Sequence, residues 1–274
     1  MSVSPLSPKK EFDFDFKKLT MKITLQRFFN DNPHVALAFS GGVDSSYLLY
    51  IGLHYGAKIR PYFVKTAFQP EFELRDARRV AEYLETEITV IETDVLNNAA
   101  VVSNPLNRCY HCKKNIFEVI RAQAFADGVP LVIDGTNASD DAGERPGMKA
   151  LAEQSVRSPL RECGITKSNV RQLSKETGLF TWNKPAYACL ATRVPFGQKI
   201  TEDLLRRIEK SEDALFAFGF TDFRVRVMGD NVAKLQFQHA QMGDVVNRRA
   251  DIVDTIKRYF STILLDLDGR VINE

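Results

Sequence analysis

The stretch LAFSGGVDSSYLLY, Leu37 to Tyr50, decides the fold of this chain. An apolar run stops at Ser40-Gly41-Gly42, and after Asp44 and two serines apolar residues return at helical spacing. The pattern predicts a strand, a tight loop and a helix. Such a junction brings backbone N–H groups and a helix N-terminus together, which suits an anion such as phosphate.

The residue types of this loop fit phosphate chemistry. Gly41 and Gly42 let the backbone approach a ligand closely, and the hydroxyls of Ser40 and Ser45 can donate hydrogen bonds. Asp44 can hold a Mg²⁺ ion that bridges phosphates. The alternative is a tight strand-to-helix turn capped by Ser45. No lysine follows the glycines, so the loop is not of the Walker type, and it is not GxGxxG.

Strand-like and helix-like segments alternate on both sides of the loop. This alternation predicts an α/β fold with a parallel sheet flanked by helices and ligands at the carboxyl ends of the strands. After an irregular segment, Thr201 is expected to cap a helix, followed by two strands, a helix and a strand, a smaller C-terminal α+β domain. The predicted divisions are an N-terminal arm (1–18), a main domain (19–185), an active-site loop (186–199) and a small substrate or oligomerisation domain (200–274).

Composition narrows the partners. The chain has 274 residues, with 37 basic and 35 acidic side chains and a formal charge of +2, so we expect no large nucleic-acid surface. No apolar segment has the length of a signal peptide or of a spanning helix, so we expect a cytoplasmic protein without a membrane partner. Four cysteines are few for a disulfide scaffold, and reduced thiols are expected.

Two of these cysteines form a CxxC motif, Cys109 and Cys112. Arg108, Lys113 and Lys114 lie alongside, directly before a predicted helix, which predicts thiols that ionise near neutrality. The motif could be a zinc half-site, a redox pair, a set of cluster ligands or a coincidence, and no second close pair completes a zinc site. Cys163 is expected to fill the core.

Cys189 lies in a long non-periodic segment, KPAYACLATRVPFG, with Lys184 and Arg193 nearby. Irregular segments of this length tend to carry function. Together with the CxxC motif it gives three thiolates, enough to hold a 4Fe-4S cluster with one iron free of protein ligands. That iron could bind and deliver a sulfide. The alternative makes Cys189 a lone nucleophile or a sacrificial sulfur donor, with Cys109 and Cys112 structural.

Four segments occur in order: SGGVDSS, NRCYHCK, DGTNASDDAGERPG with VRSPL, and TWNKPAYACLATRVPFG. From about Met21 to the C-terminus, they resemble the LarE-type sulfur transferases of the PP-loop ATP pyrophosphatase superfamily. The resemblance implies cleavage of ATP between the α and β phosphates and adenylation of a carboxylate of pyridinium-3,5-biscarboxylic acid mononucleotide. Sulfur then replaces oxygen, a step in building the nickel-pincer cofactor of lactate racemase. ATP, Mg²⁺ and a 4Fe-4S cluster are the cofactors expected from it.

The resemblance also implies roles for individual residues. ATP phosphates and Mg²⁺ would be bound by Ser40, Gly41, Gly42, Val43, Asp44, Ser45 and Ser46, with Gly135 and Thr136 at the border of the nucleotide. Catalysis would involve Asp44, Glu144, Cys189 and Arg193. Substrate binding would involve Arg145, Glu212, Arg224, Arg226 and Asp244. The alternative for these arginines and acids is a solvated face.

Other classes of function stay open. A tRNA thiolase would show a stronger basic bias than +2. An ammonia-dependent synthetase of the same superfamily would need no cysteine trio. A non-catalytic nucleotide-binding protein would need neither Asp44 nor the cysteines. We also expect a homo-oligomer with a small-molecule substrate and a separate sulfur donor.

Overall fold

The computed structural model describes residues 16–129, 131–140 and 146–270, so most of the predicted N-terminal arm lies outside the described residues. The α-helices are α1 (Phe16–Asp31), α2 (Val43–His54), α3 (Glu71–Tyr83), α4 (Ala99–Val102), α5 (Arg108–Ala126), α6 (Pro146–Glu153), α7 (Pro159–Glu162), α8 (Lys167–Glu176), α9 (Glu202–Ala217), α10 (Met242–Asn247) and α11 (Arg249–Ile256). The strands are β1 (His34–Ala38), β2 (Lys58–Lys65), β3 (Thr89–Glu92), β4 (Val132–Asp134), β5 (Arg224–Met228), β6 (Val232–Gln236) and β7 (Thr262–Leu265).

The first four strands form a parallel sheet in the order β3-β2-β1-β4. The central strand β1 buries Val35, Ala36 and Leu37 completely because helices cover both faces of the sheet. Val35 and Leu37 pack in a core with α2 and α8, whereas Ala36 packs in a second core with α5. The predicted α/β class is therefore confirmed.

The C-terminal part contains a second, smaller sheet in the order β5-β6-β7. β5 and β6 are antiparallel, and β6 and β7 are parallel. Thr201 caps α9 as predicted, its hydroxyl accepting a hydrogen bond from Leu204 N at 3.3 Å. The core of this part also includes Phe68, Val95 and Val101 from the first half of the chain, so the two sheets share a packed boundary.

The register of the first sheet positions two loops side by side. Ala38 at the end of β1 pairs with Tyr62 of β2 and with Asp134 at the end of β4. The loop at residues 39–42 therefore lies next to the segment that follows β4, at the carboxyl edge where parallel sheets bind ligands. Within the described residues, no helix combines the length and apolarity that crossing a membrane requires.

Candidate functional site

The loop after β1 presents an uncapped helix N-terminus. Gly42 is the residue before α2, and no side chain caps the helix there. Ser45 lies inside α2, so the alternative that it is the N-cap is wrong. Its Oγ accepts a hydrogen bond from Ser40 N at 3.3 Å and lies 3.1 Å from Ser40 Oγ. The hydroxyls brace the loop and leave the first N–H groups of α2 for a ligand.

Two glycines allow close packing around this loop. Gly41 has φ +67°, and a Cβ there would lie 2.8 Å from the backbone of Ala77 in α3. A Cβ on Gly135 would lie 2.9 Å from Ser45 N. Gly135 thus lies directly against the first turn of α2. Its neighbour Thr136 donates its hydroxyl hydrogen bond to the Asp134 carboxylate rather than to the loop.

Asp44 forms an ion pair with Lys167, the first residue of α8, and accepts a hydrogen bond from Asn137 Nδ2 at 3.3 Å. Burial raises the pKa of the Asp44 carboxyl, and the ammonium of Lys167 opposes that shift. A capping box between Thr166 and Asn169 fixes the start of α8, and with it Lys167. The Asp44 carboxylate, in the first turn of α2, is therefore held beside the Lys167 ammonium.

A cavity of about 410 Å³ opens at the carboxyl end of β1 and β2, within the range of small-molecule sites. It brings the loop and the distant cysteine together, since Ser40, Gly42, Val43, Asp44 and Cys189 all line it. Apolar walls come from β1, β2 and α5. The polar side chains that face it from elsewhere are Gln69, Glu73, Lys167, Lys184 and Tyr187. Gly41, Ser45 and Ser46, which were also expected to bind the phosphates, are not among the residues that line the cavity.

Arginines hold the segment that carries Cys189. Arg171 donates to Lys184 O at 3.0 Å, and Arg108 donates to Ala191 O at 2.8 Å. Arg224 donates to Ala186 O at 2.7 Å, and Arg226 donates to Thr192 O at 2.9 Å. The chain there has few regular backbone partners, so these guanidinium groups fix its path.

Arg193 is fully buried and forms a two-point ion pair with Glu212, at 2.8 Å and 3.0 Å. Glu212 also accepts hydrogen bonds from the Tyr187 hydroxyl and from Val225 N. Arg193 in turn donates to Ala188 O at 2.8 Å. The pair ties the Cys189 segment to α9 and β5. The structure thus places Arg193 and Glu212 behind the cavity rather than on its wall.

The remaining predicted site residues are scattered. Arg224 and Arg226 share one face of β5, and Arg224 is buried at the wall of a second cavity of about 440 Å³. Asp244 is exposed in the first turn of α10, on neither cavity wall. Glu144 and Arg145 lie outside the described residues.

The CxxC motif lies within the first turns of α5 rather than before the helix. Cys112 shares a helix face with Ile116 and Ile120, which line the first cavity. Burial, and then the neighbouring thiols of Cys189 and Cys109, raise the pKa of Cys112 to about 12. The predicted ionisation near neutrality is therefore wrong for Cys112. Burial also raises the pKa of Cys189, whereas Arg108 opposes the shift.

The three thiols lie in one part of the molecule, because Cys112 and Cys189 pack against the same core and Arg108 donates both to Cys109 Sγ and to Ala191 O. Cys163 is separate: it packs against the first core but is half-buried, so it lies at the margin of the core that it was expected to fill. Over the three described ranges, no group of three His, Cys, Asp or Glu side chains converges tightly enough to hold a metal ion. The thiols lie near one another without meeting at one ion.

Three charged residues of the cavity were not anticipated as site residues. Lys167 reaches Asp44 across 123 positions of sequence, and Lys184 reaches Gly41 O across 143. Glu73 faces the cavity from the first turn of α3. Lys184 could be suspected from its place in the irregular segment. No local pattern marks Lys167 or Glu73, because charged residues in a first helical turn usually face water.

Comparisons with known proteins agree with this geometry. The asparagine synthase family model matches residues 23–121, the span from α1 through most of α5. The chain is 30% identical over 258 residues to the pyridinium-3,5-bisthiocarboxylic acid mononucleotide synthase of Lactiplantibacillus plantarum, covering 91% of each chain. It is 34% identical over 251 residues to an uncharacterised protein of Synechocystis sp., covering 89% of this chain and 92% of that one.

An uncharacterised protein of Methanocaldococcus jannaschii is 29% identical over 253 residues, covering 92% of this chain and 96% of its own length. Each of these three similarities covers about nine-tenths of this chain. With its phosphate-type loop, its cavity and near-complete coverage of these relatives, the chain belongs to the LarE-type family of ATP-using enzymes within the PP-loop superfamily.

Proposed function

We propose that this protein activates a carboxylate of pyridinium-3,5-biscarboxylic acid mononucleotide with ATP and replaces its oxygen with sulfur. One observation carries the proposal: a single cavity is lined by Ser40, Gly42 and Asp44 of the loop and also by Cys189. A phosphate-binding loop and a sulfur atom in the same space are what an adenylating sulfur transferase requires. The name of the Lactiplantibacillus plantarum relative supplies the substrate class.

The loop would hold the triphosphate. The free N–H groups of α2 and the hydroxyl of Ser40 would bind pyrophosphate oxygens, with Lys167 and Lys184 as cations on either side. Asp44, which is paired with Lys167 in this structure, would hold Mg²⁺. Mg²⁺ supplies charge neutralisation at the phosphates when bound.

The reaction would proceed in two stages. The substrate carboxylate attacks the α-phosphorus, which forms an acyl adenylate and releases pyrophosphate. A sulfur nucleophile then attacks the acyl carbon, and AMP leaves with the electron pair of the C–O bond. The Cys189 segment, held by Arg193, Arg224 and Arg226, would keep the sulfur source at a fixed place in the cavity.

We propose that Cys109, Cys112 and Cys189 hold a 4Fe-4S cluster. Two observations support this: Cys112 and Cys189 pack against the same core, and Arg108 donates both to Cys109 Sγ at 3.8 Å and to Ala191 O, two residues after Cys189. A bound cluster would supply sulfide. Displacement of the Cys112 proton on binding fits the rule that metals bind thiolates. In the alternative, Cys189 gives up its own sulfur. The two mechanisms can be distinguished because only the alternative lowers the mass of the protein during turnover.

We further propose the division into residues 19–185 for ATP activation, 186–199 for the active-site loop and 200–274 for substrate binding or oligomer contacts. The second cavity supports a substrate role for the last part, since Arg224 and Thr221 line it beside Lys184 and Tyr187. The partners we propose are a small-molecule nucleotide, a sulfur donor and further copies of the chain.

Substrate-dependent release of pyrophosphate tests the proposal. The protein with Mg²⁺ and ATP should release pyrophosphate and AMP only when the biscarboxylate nucleotide is added. Asp44→Ala should lower that rate by at least roughly 100-fold. Asp254→Asn, an exposed change on α11, is the matched control and should behave as the wild type. Pyrophosphate release by Asp44→Ala at the wild-type rate, or release of ADP in place of AMP, contradicts the proposal.

A further inference from the structure

Glu73 is the carboxyl group of the first cavity that the roles above leave unused. It lies in the first turn of α3, half-buried, and lines the same cavity wall as Gln69, Tyr187 and Cys189. Leu190 N donates to Phe68 O at 2.9 Å, which fixes the residue after Cys189 against the segment that leads into α3. Glu73 and Cys189 are therefore held on two adjoining pieces of chain.

Within the described residues, the carboxylate of Glu73 has no hydrogen-bond or ion-pair partner. No side chain or backbone group of the described residues donates a hydrogen bond to it or forms an ion pair with it within 4 Å. The nearby ammonium of Lys184 is committed elsewhere, to Asp76 at 2.5 Å and to Gly41 O at 3.4 Å. Lys65 is likewise committed, to Glu71 at 2.6 Å. Among the described residues, Glu73 therefore lines the cavity without a cation bound to its carboxylate.

Sulfur transfer needs a proton acceptor at this place. Attack of an S–H group on the acyl adenylate forms the S–C bond and breaks the C–O bond to AMP, and the proton of the S–H group must leave. AMP departs with the bonding electrons as its phosphate monoester. Among the other groups lining the cavity, Asp44 is paired with Lys167, and Tyr187 donates its hydroxyl proton to Glu212. Neither is free to accept a proton.

We propose that Glu73 is the proton acceptor of the sulfur-transfer step, taking the S–H proton as the sulfur attacks the adenylated carboxylate. This inference rests on the proposed function, and it holds whether the S–H group is that of Cys189 or a hydrosulfide held beside it. The step is balanced: the sulfur gains the acyl carbon, AMP leaves, and one proton moves from sulfur to the Glu73 carboxylate.

The surroundings suit that task. Burial raises the pKa of Glu73 to about 7, against the influence of Lys184 and Arg193 from the Cys189 segment and of Lys65 from β2. Asp76 on the same helix raises it further, and Tyr187 faces it from the Cys189 segment. A carboxyl with a pKa close to the operating pH can both accept and return a proton.

A rapid-quench experiment separates the two stages. Wild-type protein, loaded anaerobically with its sulfur source, and Glu73→Gln would each be mixed with Mg²⁺, ATP and the biscarboxylate nucleotide. We expect Glu73→Gln to form the acyl adenylate and stall there, with thiolated product appearing roughly 100-fold more slowly than in the wild type. Glu82→Gln, an exposed change on the same helix, is the matched control and should match the wild type at both stages.

The pH profile supplies the second readout. The wild-type transfer rate should fall as the pH drops below about 7, because a protonated Glu73 cannot accept the proton. Glu73→Gln should lose this acidic limb, and Glu73→Asp, which keeps a carboxylate and serves if the glutamine variant unfolds, should retain one. The inference is overturned if Glu73→Gln keeps the wild-type transfer rate and acidic limb. It is also overturned if Glu73→Gln slows pyrophosphate release and sulfur transfer by the same factor. Absence of substrate-dependent pyrophosphate release in the wild type would instead contradict the proposed function itself.

Discussion

Arg193 and Glu212 form a buried two-point ion pair that joins the cysteine-bearing segment to α9, with both side chains at most 2% exposed. The Glu212 carboxylate also accepts hydrogen bonds from the Tyr187 hydroxyl and from Val225 N, so both of its oxygens have hydrogen-bond partners. Removing one member leaves the other charged and unpaired in the core. This pair therefore fixes the position of Cys189 relative to the loop at residues 40–44.

Glu212→Ala should consequently lower the free energy of unfolding by about 3–5 kcal/mol. Arg206→Ala breaks an exposed pair with Asp203, whose side chains are 70% and 60% exposed, and is the matched control. It should cost less than about 1 kcal/mol. Urea denaturation followed by circular dichroism measures both. Equal losses in the two variants would contradict the role given to the buried pair.

A methyl group at Gly135 should disturb the phosphate loop. Its Cβ would lie 2.9 Å from Ser45 N and 3.2 Å from Ser45 Cα, so the first turn of α2 must move. We expect Gly135→Ala to weaken ATP binding by at least roughly tenfold, a loss of about 1.4 kcal/mol. Gly243→Ala places its Cβ in open space within α10 and should bind ATP as the wild type does. Isothermal titration with a non-hydrolysable ATP analogue compares the two, and equal affinities would argue against this packing.

The three cysteines of the site should act as a set. After anaerobic reconstitution, replacement of Cys109, Cys112 or Cys189 by serine should each remove the bound iron and its broad visible absorbance. Cys163→Ser should keep both, because Cys163 packs against the first core. Iron analysis with visible spectroscopy provides the measurement. Wild-type protein without iron that loses the mass of H₂S at Cys189 during turnover would support the sacrificial alternative instead.

Stability should depend on pH through Glu73. Its pKa rises from 4.5 to about 7 on folding, chiefly through burial. Between those values the folded state keeps a proton that the unfolded chain releases, so stability falls as the pH rises through this window. Glutamine has no titrating carboxyl, so it avoids this loss. The melting temperature of Glu73→Gln minus that of the wild type should therefore be larger at about pH 8 than at about pH 5. If the melting temperatures of the two proteins changed with pH by the same amount across that range, the raised pKa would be contradicted.

Much of the fold follows from local patterns. The apolar run at 35–37 and the loop that follows predict a central parallel strand with a ligand site at its carboxyl end. The reason is that helices cover both faces of such a sheet, so its strands are buried on both sides. Thr201 predicts the start of α9 by its hydroxyl. α5 begins at Arg108 and therefore includes the CxxC motif that was expected to precede it, since helix boundaries are weakly encoded without a capping residue.

The electrostatics of the site do not follow from local patterns. Asp44 meets Lys167, and Arg193 meets Glu212, only because the folded chain brings distant segments together. Arg224 and Arg226 share a strand face as the alternation predicts, but their guanidinium groups donate hydrogen bonds to the backbone carbonyls of Ala186 and Thr192. The periodicity of a strand predicts the face on which a side chain lies, but it does not predict which group that side chain contacts. The raised pKa of Cys112 arises the same way, from burial that neighbouring cations do not offset.

The central claim is that one cavity activates a carboxylate with ATP and exchanges its oxygen for sulfur. Mass spectrometry of the small molecule, after incubation of the sulfur-loaded protein with Mg²⁺, ATP and pyridinium-3,5-biscarboxylic acid mononucleotide, tests it most directly. The account predicts a product heavier by the difference between sulfur and oxygen at each exchanged carboxylate, formed together with AMP and absent with Asp44→Ala. Formation of AMP with an unchanged or amidated nucleotide would contradict it.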